Sequence, residues 1–134
     1  MGAWGTGSFE NDDAVHWITD LGESTDTALL EEALEPKEVE GYYLEAPEDS
    51  RILCAAEILA ALLDRPSSAL SEDAAAWVAT HRALDPQFLI PKALGKIERV
   101  LAEHSELKEL WAENEIDYSR WEKVVFDLKA RLSG

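Results

Sequence analysis

The sequence predicts a single all-α domain, a bundle of about six to seven short helices around one central apolar helix. Three observations support this fold class. Apolar residues recur at helical spacing along most of the chain, no stretch shows sustained alternation of β-branched residues, and 46% of the 134 residues are hydrophobic. A chain of this length folds as one domain, here residues 1–134, whose core needs no disulfide.

The first ten residues are expected to form a structured arm, because Gly2, Gly5 and Gly7 disfavour regular helix. Asn11 or Asp12 is then placed to cap the first helix. The apolar stripe of that helix falls at i, i+3, i+4 and i+7, on Ala14, Trp17, Ile18 and Leu21. Such a stripe is typical of a helix that lies on a core.

A second short helix is expected after Ser24 or Thr25, and it must stop before Pro36 because proline disfavours helix at the residue preceding it. A long loop follows, over residues 36–49. An irregular segment of this length is unusual inside a compact domain. It is therefore our first candidate for a functional or partner-ordering loop.

The central helix is predicted over about residues 50–63, with Asp49 or Ser50 as its cap. Its stretch from Ile52 to Leu63 is apolar nearly all round, and Glu57 is its one charged residue. A helix with no polar face has to be surrounded by other helices. This helix should form the middle of the bundle.

Capping and proline signals predict four further helices. The fourth helix begins after Ser71, and the sixth after Ser105. The fifth either has a short turn before Pro91 or begins at Ile90, and we favour the second alternative. Asp117 or Ser119 is expected to open the last helix.

The charge of the chain limits its partners. Its formal net charge is −16, and residues 1–67 carry 3 basic and 16 acidic side chains, whereas residues 68–134 carry 9 and 12. Such a field disfavours nucleic acids and anionic membranes and favours a basic protein partner. Cys54, the only cysteine, lies among apolar residues, and no secretory signal or membrane span is visible, so we expect a cytoplasmic protein.

Several segments resemble a known family. The opening stretch from Trp4 to Ala14, with Trp17 and Asp20-Leu21, is similar to the start of the bacterial family catalogued as domain of unknown function 4259. Further similar segments are Tyr43-Leu44-Glu45-Ala46-Pro47, the Ala-rich stretch from Ala55 to Leu62, Ser105-Glu106-Leu107 with Leu110-Trp111, and Trp121 with Asp127-Leu128. The resemblance implies a bacterial, soluble, single-domain protein and assigns no catalytic residue.

Two patterns near the N-terminus suggest ligand sites but favour structural roles. Asp12, His16 and Asp20 recur at i, i+4 and i+8 on one helix face, as metal ligands could, but this face lies opposite the apolar stripe, where solvated residues belong. The glycines before the first helix fit neither the dinucleotide nor the P-loop fingerprint, and acidic residues crowd the position of a phosphate. We therefore predict no metal and no cofactor.

A pocket near Glu57 and His81, closed by the arm that carries Trp4, is the alternative hypothesis of a small enzyme or ligand-binding protein. Burial in an apolar helix would raise the pKa of Glu57 and suit it to acid–base chemistry. An ion pair with Arg51, Arg65 or Arg82, or a hydrogen bond with a Tyr hydroxyl, would instead make Glu57 structural, and we favour that interpretation. A catalytic role for the protein is accordingly the less favoured one.

The favoured hypothesis is an interaction module, similar in type to immunity or antitoxin-like or regulatory proteins, which presents its acidic half to a basic protein. Aromatic residues outside the confident helices are the natural apolar anchors of such a surface. The predicted partner-binding residues are Glu38, Glu40, Tyr42, Tyr43, Glu45 and Glu48. A self-associating structural protein is the second alternative, and the sequence indicates no particular oligomeric state.

Overall fold

The structure, a computed structural model, describes residues 5–134 and confirms the all-α bundle. Within these residues the chain forms seven α-helices, one 3-10 turn and no strand. The helices are α1 (Asp12–Leu21), α2 (Ala28–Ala33), α3 (Ala46–Leu62), α4 (Glu72–Thr80), α5 (Ile90–Leu101), α6 (Glu106–Trp111) and α7 (Glu115–Ser133), and the 3-10 turn Gln87–Leu89 precedes α5. Across the same residues, no helix is long and apolar enough to pass through a bilayer.

The central helix is α3, and it contacts every other α-helix of the bundle. Its residues from Ile52 to Ala61 are all buried, as the apolar run predicts. The helix begins at Ala46, about four residues earlier than predicted, and Pro47 lies in its first turn, where proline needs no hydrogen-bond partner. The predicted loop over 36–49 is therefore too long, and the irregular segment ends at Glu45.

The predicted caps of α1 and α4 are confirmed. Asn11 Oδ1 accepts a hydrogen bond from the Ala14 N–H at 2.8 Å, and Ser71 Oγ accepts one from the Ala74 N–H at 3.3 Å. The predicted start of α5 at Ile90 is also confirmed. Local capping chemistry was sufficient for α1 and α4, and Pro91 in the first turn was the signal for α5, which has no side-chain cap.

The predicted starts of α2 and α7 are wrong by a few residues. Helix α2 begins at Ala28, whose N–H donates to Asp26 Oδ1 at 2.9 Å. Helix α7 begins at Glu115, because Asn114 Oδ1 accepts from the two N–H groups that follow in the first turn. In both cases a different acidic or amide side chain from the predicted one satisfies the free N–H groups.

The described part of the N-terminal arm folds around a carboxylate of its own. Glu10 Oε1 accepts a hydrogen bond from the Gly7 N–H at 3.1 Å, and the Glu10 carboxylate lies where a Cβ on Gly5 or Gly7 would be. The glycines thus allow an internal anion to approach the backbone. Phe9 delivers its ring to the core, and Trp4 lies outside the described residues.

The small residues of α3 generate a packing prediction. Ala56 is fully buried in the centre of the bundle, so Ala56→Leu should overpack the core and lower the free energy of unfolding by about 1–3 kcal/mol. Ala75→Leu places the same side chain at an exposed position of α4 and should change it by less than about 0.5 kcal/mol. Urea denaturation of both variants checks this, and equal effects would contradict the close packing around α3.

Candidate functional site

A tight turn over residues 39–43 lies at the centre of the predicted partner surface. The Val39 N–H donates to the Tyr43 carbonyl at 2.7 Å, and the Tyr43 and Tyr42 N–H groups donate to the Val39 carbonyl at 3.1 and 3.2 Å. Glu40 and Gly41 occupy the two central positions with φ of 55° and 81°. Positive φ at both positions is the mark of a type I′ turn, which closes a hairpin tightly.

Arg99 of α5 holds this turn in place. Its Nη2 donates to the Tyr42 carbonyl at 2.7 Å and to the His104 carbonyl at 3.1 Å, and its Nη1 donates to the Glu103 carbonyl at 3.0 Å. The Glu38 carboxylate lies 3.4 Å from the same guanidinium. A planar guanidinium with several donors in a fixed arrangement thus joins the turn to the end of α5.

The tip of the turn exposes apolar side chains. Tyr42 is 52% exposed and Val39 is 44% exposed, and the Tyr42 ring meets the His104 ring edge-on with centroids 5.2 Å apart. Of the three non-glycine residues with positive φ among residues 5–134, Glu40 and His104 lie here. Such conformations cost about 1–2 kcal/mol for a residue with a Cβ and tend to occur at functional sites.

The six predicted partner-binding residues do not form one uniform patch. Glu40, Tyr42 and Glu45 are exposed. The other three are tied to side chains of the same protein: Glu38 to Arg99, Tyr43 through its hydroxyl to Glu109 at 2.8 Å, and Glu48 to Arg51 at 2.8 Å. Glu48 and Arg51 also line a separate groove of about 410 Å³ beside α1 and α2.

A reciprocal pair of caps, which we call the α3–α6 clasp, fixes the base of the turn. Asp49 Oδ1 accepts from the Ser105 hydroxyl at 3.0 Å, and Oδ2 accepts from the Leu107 N–H at 3.0 Å. In return, the Ala46 N–H at the start of α3 donates to Glu106 Oε1 at 2.7 Å. The prediction that Asp49 or Ser50 caps α3 is therefore wrong, because Asp49 caps α6 from across the fold.

Burial raises the pKa of Asp49 to about 7, although its two hydrogen bonds favour the charged form and limit the rise. Arg99 lowers the pKa of this carboxyl as well, while Glu106 raises it. The protonated form can still keep both hydrogen bonds, since its hydroxyl can donate to Ser105 Oγ and its carbonyl oxygen can accept from Leu107. We therefore expect the clasp to hold a proton at a pH where an exposed aspartate does not.

Glu57 is sealed in the core. It is 2% exposed, and Arg131 Nη2 of α7 lies 2.8 Å from its Oε1, although no N–H is directed at that oxygen. Burial raises the pKa of Glu57, and the neighbouring Arg131 opposes the rise. Among the described residues, neither Ser8 Oγ nor Glu57 Oε1 has a hydrogen-bond partner. This arrangement is a buried ion pair.

The structure places His81 in a different environment from Glu57. The His81 ring stacks on Trp77 with centroids 4.1 Å apart, and its Nδ1 lies 2.7 Å from the Trp77 carbonyl oxygen at the end of α4. Glu57 instead faces Arg131. The two residues of the predicted pocket are thus engaged by separate partners.

The predicted metal candidates remain on a solvated face. Asp12, His16 and Asp20 are all exposed on α1. Within residues 5–134, no group of three or more His, Cys, Asp or Glu side chains is arranged to hold a metal ion. The geometry of α1 gives these side chains the role of a charged outer surface.

The comparison with protein families decides the relationship. The family model described as domain of unknown function (DUF4259) matches residues 2–124. The chain belongs to this DUF4259 family. Searches of curated proteins and of solved structures matched nothing. The DUF4259 match extends across α1 to α6 and into α7, so it includes the turn, the clasp and Glu57, whereas Arg131 lies beyond the matched residues.

Sequence reasoning missed three residues that organise this site. Arg99 and His104 lie more than fifty residues from the turn that they contact, and no local pattern links them to it. Asp49 was assigned to the wrong helix because a cap signal shows that an acceptor is available but not which helix it serves. The positive φ of Glu40 is indicated in the sequence only weakly, by the glycine that follows it, Gly41.

The raised pKa of Asp49 predicts an unusual pH dependence. The folded state keeps a proton between about pH 4 and pH 7 that the unfolded chain releases, so the free energy of unfolding should fall as the pH rises through this range, by up to about 1.4 kcal/mol per pH unit. Asp49→Asn mimics the protonated clasp and should reduce this slope. Urea denaturation between about pH 5 and pH 8 measures both slopes.

Asp49→Ala is the matched control, because it removes both hydrogen bonds as well as the titrating carboxyl: it should lower the free energy of unfolding at pH 5 by about 1–3 kcal/mol and show the same reduced slope as Asp49→Asn. Equal slopes for the native protein and Asp49→Asn would show that the clasp does not titrate in this range.

The buried ion pair predicts a non-additive pair of substitutions. Arg131→Met leaves Glu57 buried without its cation and should lower the free energy of unfolding by about 3–5 kcal/mol. The double variant Glu57→Leu with Arg131→Met replaces both charges by apolar groups and should recover most of that loss. Asp127→Asn removes the exposed partner of Arg131 and should cost less than about 1 kcal/mol. A double variant as unstable as Arg131→Met alone would argue against this account.

Proposed function

We propose that this protein is an acidic interaction module that binds a basic protein through the turn at residues 39–43. The observation that carries the proposal is the rigid, exposed tip of that turn. Val39 and Tyr42 stay in solvent while Arg99 fixes the backbone beneath them. An aromatic anchor on a preformed backbone loses little conformational entropy on binding, which is what a binding hot spot requires.

The charge of the chain supports the choice of partner. The formal net charge is −16, and exposed carboxylates of Glu40 and Glu45 lie at the tip and base of the turn. A field of this sign attracts a basic surface, speeds its approach and repels nucleic acid. Because Glu38 and Glu48 already have internal cations, Glu40 and Glu45 are the carboxylates best able to face a partner.

The alternative of a small enzyme with a pocket at Glu57 and His81 is not proposed. Glu57 is closed in by Arg131, and His81 is occupied with Trp77. A carboxyl group that neither solvent nor a substrate can reach cannot exchange a proton with that substrate. Self-association remains a separate prediction, and the high net charge opposes it.

The proposal predicts which charges matter for binding. The natural partner is first captured from extracts of the source organism at low salt and identified. Its affinity is then measured for the double variant Glu40→Gln with Glu45→Gln, which should bind about tenfold more weakly and with a flatter salt dependence. Titration calorimetry at two salt concentrations gives both quantities.

The matched control is Asp20→Asn with Glu23→Gln, which removes the same two charges from an exposed part of α1 and its C-terminal turn. It should reduce affinity far less than the turn variant, because its two charges lie outside the proposed contact at residues 39–43 and 45. Equal losses would mean that net charge alone attracts the partner and that the turn is not its contact.

A further inference from the structure

A hollow of about 330 Å³ lies beside the turn, between the end of α5 and the outer side of α6. Ala102 and Ala112 contribute methyl groups to its wall, and the stem of Lys108 contributes methylenes. Its volume is at the lower end of the range of about 300–1,000 Å³ that is usual for ligand sites. The hollow is therefore large enough for one or two apolar side chains.

The hollow and the turn form one continuous surface. His104 lines the hollow and contacts the ring of Tyr42, and Glu109 lines it and accepts the hydrogen bond of the Tyr43 hydroxyl. A partner that covers Tyr42 therefore reaches the hollow without crossing any other element. The exposed tyrosine and the hollow would together form a protruding anchor beside a receptive depression.

The walls of the hollow are held by contacts inside the protein. The Ser105 hydroxyl donates to Asp49, and the His104 carbonyl accepts from Arg99 and, at 2.9 Å, from the Leu44 N–H. A depression with walls fixed in this way does not need to be opened by its occupant. Binding there avoids much of the cost of ordering the surface.

The charges around the hollow select its occupant. Glu103 and Glu109 lie at the hollow and Glu40 lies on the neighbouring turn, against one lysine, Lys108. A second copy of this chain, with its net charge of −16, is disfavoured there. An apolar side chain would pack against the walls of the hollow, and a flanking lysine or arginine would face the carboxylates at its rim.

The geometry points to a specific mode of binding, which rests on the proposed function: the basic partner inserts an apolar side chain of an amphipathic, basic segment into the hollow between α5 and α6 while covering Tyr42. The contact surface then includes α6 as well as the turn. Helix-in-groove recognition of this kind uses apolar anchors at helical spacing with charges on their flanks.

Two peptides of about 14 residues, the length at which an isolated helix becomes marginally stable, test the mode on the full chain. One carries Leu on one face and Lys on the other, and its counterpart has Ser in place of every Leu, so both have the same charge. The Leu peptide should bind about tenfold more tightly and shift the backbone NMR signals of residues 39–43 and 102–112. Equal affinity of the two peptides would overturn the inference.

Ala112→Gln fills the hollow with no change of charge and should remove the preference for the Leu peptide, whereas Ala75→Gln on exposed α4 should leave it intact. Ala102→Gln enters the same hollow from the residue that follows α5 and provides a second, independent variant. A Leu peptide that shifts the signals of residues 39–43 but not those of residues 102–112 would refute the hollow and leave the proposed function standing. If the protein binds neither peptide at low salt, both the proposed function and the binding mode at the hollow are refuted.

Discussion

The burial of α3 on all sides is the constraint on which the rest of the structure depends. A helix without a polar face has no stable position except inside a ring of other helices, and the six other α-helices provide that ring. The buried polar side chains of α3 must then meet polar or charged partners on neighbouring elements. A buried donor or acceptor that has no hydrogen-bond partner costs about 1–3 kcal/mol. This requirement links the core to the surface.

Two carboxyl groups on α3 meet this requirement in different ways. Glu57, in the middle of the helix, faces the guanidinium of Arg131 from α7. Asp49, in the first turn, has no arginine in contact and instead caps α6 through Ser105 and Leu107. The first arrangement closes the core around a charge pair, whereas the second joins the starts of two helices and supports the turn that precedes α3.

The candidate surface follows from that support. The segment before α3 is short and is tied on both sides, by the clasp at its end and by Arg99 at its tip. The sequence had suggested a loop that a partner orders. In the structure, hydrogen bonds within the protein already hold this loop. It presents Tyr42 and Val39 in a fixed arrangement, and the cost of holding Glu40 and His104 at positive φ is borne by the surrounding hydrogen bonds.

The sequence by itself determined the helical class, the central position of α3, the caps of α1 and α4 and the sign of the surface charge. These features depend on periodicity, on nearest neighbours or on composition, all of which are local properties of the chain. The tertiary structure alone decided that Asp49 serves α6, that Arg99 and His104 support the turn, and that Glu57 is closed in by Arg131. These pairings join residues about fifty to seventy-five positions apart, and their geometry depends on how the helices pack, which no local pattern encodes.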